Sequence, residues 1–204
     1  MCLKILLSVL LFFLFHTSFS QKNKNDLSIG FLYGFGQEFK NKNYTFDNQF
    51  YKLHVGYVFK KTIKFTWELV VEPEVNFGKH KLTNPFFITS GDSDYIIKRE
   101  YYSKLNGINQ YILNLGLRIR KPISNVFSVF ILGSIGPLIS NTETERLAKG
   151  FASSNILAIG VELELNKFIF EIRPSFRHVS NAGLNSANLG FNTQNIEFGI
   201  IYNL

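Results

Sequence analysis

Apolar and polar residues alternate with a period of two in eight stretches of the chain. The first sets Leu27, Ile29, Phe31, Tyr33 and Phe35 against Ser28, Gly30, Gly34 and Gly36. The second sets Tyr51, Leu53, Val55, Tyr57 and Phe59 against Lys52, His54 and Gly56, and the third runs from Ile63 through Trp67 and Val71 to Phe77. A fourth spans Tyr111 to Ile119, and a fifth, from Val126 to about Leu138, alternates weakly. The sixth opposes Leu157 to Leu165 to Ala158, Gly160, Glu162 and Glu164, the seventh follows from Phe168, and the eighth runs from Ile196 to Leu204. Such alternation predicts strands rather than helices, since successive side chains of a strand point to opposite faces.

One face of these strands is apolar and aromatic throughout, while the other carries Lys, Arg, Glu, Asn and Gly. A soluble barrel would bury the apolar face and expose the charged one. Here the links alternate between short (60–62, 121–125, 166–167) and long (37–49, 78–109, 140–153 and the loop before strand eight). With an even strand count and a strand at the C-terminus, this pattern predicts an all-β fold, an eight-stranded antiparallel transmembrane β-barrel. Its lumen is expected to hold Lys52, Lys64, Glu68, Glu72, Arg118, Glu162, Glu164, Glu171, Arg173 and Arg177 as a packing network, with His54 lumenal and His80 in a loop. Small residues such as Gly34 and Gly36 suit a crowded lumen. Asn43-Tyr44-Thr45 reads as loop polarity, and residues 141–150 could hold a helical turn between an Asn start and a Gly stop.

The first twenty residues change the compartment. Lys4 precedes an apolar run from Ile5 to Phe15, and Ser18-Phe19-Ser20 forms a small-x-small site. This reads as a signal peptide over residues 1–20, followed by one barrel domain over 21–204. Cys2 lies ahead of the apolar run, so a lipoprotein anchor is not expected. Cleavage would remove the single Cys and the single Met, and with them any disulfide or thiolate site. The formal charge of +7 would fall to +6 with the loss of Lys4. A basic exported barrel suits an anionic lipid surface better than nucleic acid.

Candidate chemistry lies near the end, in His178-Val179-Ser180-Asn181-Ala182-Gly183-Leu184 followed by Asn188, Gly190 and Asn192. Counting by twos from Phe168 places His178 and Ser180 on the outward face. Strand order puts them at the extracellular rim, opposite the outer leaflet. A histidine beside a serine can activate an alcohol nucleophile, and an ionisable group on a lipid-facing wall is costly without a function. No His and carboxylate set has metal-ligand spacing.

This stretch resembles the signature of the lipid A 3-O-deacylase (PagL-type) family, eight-stranded outer-membrane hydrolases of acyl esters on lipid A. The resemblance implies an outer-membrane serine esterase acting on lipopolysaccharide in a Gram-negative cell, without a cofactor, with His178 as general base and Ser180 as nucleophile. It makes the Gly183 backbone N–H, the Asn188 side chain and Asn181 candidates for oxyanion and substrate binding. The sequence departs from the pattern fourteen residues after the histidine, where Asn192 stands in place of the family's orienting Glu. An amide can fix the imidazole tautomer but brings no negative charge. The alternative reading is therefore a catalytically inactive barrel with a structural or adhesive role. Lys40, Lys42, Lys79, Lys81 and Lys98, in the expected long loops, could attract lipid A phosphates or serve only as solvated charges, and the architecture admits a homodimer.

Overall fold

The computed structural model describes residues 26–92, 94–181, 183–184, 187 and 189–204; the expected signal peptide lies outside them. Eight strands form the wall: β1 (Leu27–Glu38), β2 (Tyr44–Lys61), β3 (Thr66–Leu82), β4 (Asn106–Pro122), β5 (Phe127–Ser140), β6 (Gly150–Leu165), β7 (Phe168–Ser180) and β8 (Phe191–Asn203). Each pairs antiparallel with its sequence neighbours, and β1 pairs with β8 to close the barrel. Closure leaves no unpaired edge, the condition for a sheet to stand in hydrocarbon.

The strands reach further outward than alternation predicts. At about 3.3 Å per residue and a tilt of about 45°, the 18 residues of β2 climb about 40 Å, beyond the roughly 30 Å hydrocarbon core. The expected loop over 37–49 shrinks to residues 39–43. Lys79, Lys81 and His80 lie in β3 rather than in loops, and His80 is fully buried. Residues 141–149 contain no helix among the described residues; the helix is α1 (Tyr95–Tyr102), in the connection after β3. Tyr102 of α1 packs with Leu82 and Ile88 and donates to Glu143 at 3.1 Å. Burial and that carboxylate together push its phenol up.

Below the rim the lumen holds the expected charges beside an apolar cluster that includes Val70, Phe130 and Leu132. Arg173 makes a two-toothed contact with Glu72 at 3.0 and 2.8 Å and also reaches Glu197 at 2.8 Å. Lys52 donates to the same Glu197 at 2.8 Å, while Arg118 joins Glu162 and Glu171, each at 2.9 Å. His54 lies between Glu72 and Ser28. Lys64 is an exception, exposed in the turn before β3, with Ile63 fully exposed beside it. Glu164 is exposed beside the β6–β7 turn, where it accepts from Asn203.

Above this network the alternation inverts. Tyr44, Phe46, Ile108, Leu138, Val179 and Phe191 point inward and form an apolar plug, while Thr45, Asp47 and Asn109 of the same strands face out. The wall is apolar outside where lipid touches it and apolar inside where water does. That is why residues 37–49, expected as loop, contain strand: their polarity has the opposite phase to that of Tyr51–Phe59.

Candidate active site

His178, Ser180 and Asn192 stand on the outer face of this inverted rim. β7 keeps strict alternation to its end, with Arg177 and Val179 buried inward and His178 and Ser180 half-buried outward. In the β7–β8 ladder His178 is directly opposite Asn192, and their side chains meet at 2.7 Å between Nδ1 and Oδ1. The amide oxygen can only accept, so Nδ1 carries the proton and Nε2 is left as a lone-pair acceptor. This is the tautomer a general base requires. Ser180 follows two residues later on the same face, at about 6.6 Å of strand rise.

Both neighbours of the pair are fixed from behind. The Asn192 carbonyl accepts from the Phe39 N–H at 2.8 Å. Inside the wall Phe191 stacks on Phe46 with ring centroids 4.7 Å apart. Val179, between His178 and Ser180, belongs to the same plug. Gly190 has a left-handed φ of +62°, and a Cβ there would run into the Val179 carbonyl. Arg146 holds this glycine at both ends, accepting its N–H at 2.9 Å and donating to its oxygen at 2.8 Å. The Arg146 guanidinium lies over the Tyr44 ring at 4.6 Å.

The other expected binders are placed differently. Asn181 is buried; its Nδ2 donates to the Ala187 carbonyl at 2.9 Å and its Oδ1 accepts the Gly183 N–H at 3.2 Å. In this arrangement Asn181 braces the loop, and the Gly183 N–H is already engaged rather than aimed at an oxyanion. Gly183 sits at φ +81°, as such a turn requires. Asn188 lies outside the described residues.

Two polar residues of β6 lie ahead of Leu157, where the alternation predicts its start. Asn155 is directly opposite His178 and Ser153 directly opposite Ser180, both half-buried on the outer face. Ser153 Oγ donates to the Ser180 carbonyl at 3.1 Å. The signal was legible: Leu157, Asn155 and Ser153 continue one parity, switching from apolar to polar.

Comparison with known proteins supplies what geometry does not. A family model described as lipid A 3-O-deacylase (PagL) matches residues 89–200, more than half of the chain. The chain belongs to this family. Among solved structures it is similar to the outer-membrane enzyme PagL, at 11% identity and a TM-score of 0.57, covering 83% of this chain and 97% of that one. It is similar also to Neisserial surface protein A, at 6% identity and a TM-score of 0.53, covering 88% and 97%. At such identities these two likenesses show the fold alone. No curated protein matches the sequence. This member of the PagL family is an outer-membrane β-barrel of a Gram-negative bacterium.

Proposed function

We propose that this barrel is a serine-type esterase that removes the ester-linked acyl chain at the 3-position of lipid A. The observation that carries the reading is the 2.7 Å bond from His178 to Asn192 on the outer wall, with Ser180 on the same face. Nε2 takes the Ser180 proton as Oγ attacks the ester carbonyl. The proton then passes to the departing sugar oxygen, leaving an acyl-enzyme. Water, activated by the same Nε2, releases the fatty acid and restores Ser180 Oγ–H. Asn192 holds the imidazole in its working tautomer throughout. One chain supplies all three side chains, so the chemistry needs no second copy.

Lateral access follows from the placement. The substrate ester stands at the level of the outer-leaflet headgroups, and it reaches an outward-facing serine without leaving the membrane. The Gly183 N–H is engaged by Asn181 Oδ1, so of the groups that the family resemblance offers for the oxyanion the Asn188 side chain is the one we take. The rival reading, a barrel without catalysis, draws on Asn192 itself, which lacks the charge a carboxylate would offer the forming imidazolium.

Mass spectrometry of lipid A from cells expressing the protein, beside a Ser180→Ala control, separates the two. Loss of one hydroxyacyl chain only with Ser180 present is the expected result. Identical spectra from both would leave the non-catalytic barrel.

A further inference from the structure

The outer wall beside His178 carries a groove of about 990 Å³ that the reaction above does not use. It crosses the wall between two rows of outward side chains. The upper row is Gln194, Gln37, Asp47 and Lys79, consecutive cross-strand partners on β8, β1, β2 and β3. The row below it consists of Ile196, Phe35, Gln49 and Phe77, again direct partners. Phe35 and Phe77 are each close to half exposed, so the lower lip offers ring faces and the upper lip amides, a carboxylate and an ammonium.

This ledge joins the candidate site at one end. Gln194 lies two residues along β8 from Asn192 and faces the same way. Three strand steps at about 4.8 Å give the row a length of about 14 Å, room for two hexose rings in line. An alkyl chain laid across it would leave two amides and two charges without partners, which is unfavourable away from water. A sugar presents hydroxyl and amide groups that both donate and accept, matching Gln194 and Gln37. Asp47 accepts only, which suits hydroxyl or amide hydrogens. Lys79, with Lys81 on the same outward face of β3, supplies the positive end for a phosphate.

We propose that the row Gln194–Gln37–Asp47–Lys79 is the subsite for the phosphorylated saccharide of the glycolipid, with Lys79 against its phosphate and the aromatic lip beneath the sugar. The proposal rests on the esterase reading for its orientation. Its ligand chemistry is read from the ledge alone, so binding can be tested apart from turnover.

Lipid A binding is measured on refolded Ser180→Ala protein in micelles, with and without Gln37→Ala, Asp47→Ala and Lys79→Ala. Heat-modifiable electrophoretic mobility reports that each barrel is folded. Each ledge change is expected to weaken binding by about tenfold, the effect of losing one hydrogen bond to a charged or buried partner. Lys79→Ala should weaken binding of diphosphorylated lipid A more than that of a dephosphorylated form. With Ser180 present, the preference for lipid A over a sugar-free nitrophenyl ester should fall by a similar factor, through KM rather than kcat. Unchanged affinity in all three folded variants, or equal losses with and without phosphate at Lys79→Ala, overturns the subsite. Loss of turnover on both substrates in the parent, with ledge-dependent binding intact, would remove the esterase and leave the saccharide site standing.

Discussion

From Leu157 to Leu165 every outward side chain of β6 is apolar, and the inward ones are Ala158, Gly160, Glu162 and Glu164. Only two positions higher the same strand turns Asn155 and Ser153 outward and buries Ala152 in the plug. Backbone geometry is continuous across this change; the solvent on each side is what differs. In the membrane belt the outside is hydrocarbon, so charges must be inside and paired. At the rim the outside is water and headgroups, so the inside becomes an ordinary apolar core. An outward histidine at the rim is therefore not anomalous by polarity. What distinguishes His178 from Gln37 or Asp47 is its bond to Asn192 and its serine two residues on.

The largest effect separating the two levels is expected at Arg173, which serves Glu72 and Glu197 together with no exposed surface. Arg173→Ala leaves two buried carboxylates short of a partner and should destabilise the barrel by about 3–5 kcal/mol. Urea titration of the folded band on cold electrophoresis measures it. A loss below about 1 kcal/mol would show that Lys52 alone neutralises the cluster and that the belt is looser than the geometry implies.

Next comes an arginine placed at each level. Val161 is the middle of the apolar outward run of β6; Val161→Arg should cost about 2–4 kcal/mol, as for a charge facing the bilayer midplane. Asp47 lies in the upper row of the ledge, and Asp47→Arg should stay within about 0.5 kcal/mol. Similar costs at the two sites would mean that the polar row is immersed in hydrocarbon rather than standing above it.

Sequence periodicity revealed the belt because lipid demands one outward phase, blurred only in β5, where Phe130 and Leu132 also fill the inside. It concealed the rim because there the phase reverses: Tyr44 and Phe46 look like the apolar face of a strand shifted by one residue, and a strand cannot shift in mid-course. The same reversal hid Ser153 and Asn155, although His178, Ser180 and Asn192 were placed by parity alone. Gly183 and Asn181 were candidates because of their position after the serine. Their bonds within the loop depend on a left-handed turn and on Ala187, neither of which spacing discloses.

At the site itself Asn192 has the larger expected effect. Asn192→Ala frees the His178 ring to rotate and to change tautomer, and kcat on lipid A should fall by about tenfold to a hundredfold, or 1.4–2.7 kcal/mol. Asn192→Glu restores a charge beside the imidazole and should keep or raise turnover. Unchanged kcat in both variants removes Asn192 from the mechanism, while the barrel's mobility on gels should not respond to either.

Ser153 should give the smallest effect, and it tests whether the rim positions the proposed nucleophile through the sheet. Its hydroxyl donates to the Ser180 carbonyl, at the point where β7 ends and the loop begins. Ser153→Ala removes one half-exposed hydrogen bond, worth about 0.5–1.5 kcal/mol, so kcat should fall about twofold to tenfold with little change in KM or in urea midpoint. The equivalent loss within the belt would register as stability, because lipid offers no replacement partner. At the rim water can take the place of the lost hydroxyl, so the energy is recovered and only the aim of Ser180 Oγ suffers. A Ser153→Ala barrel that loses stability but keeps kcat would place this corner in the membrane after all.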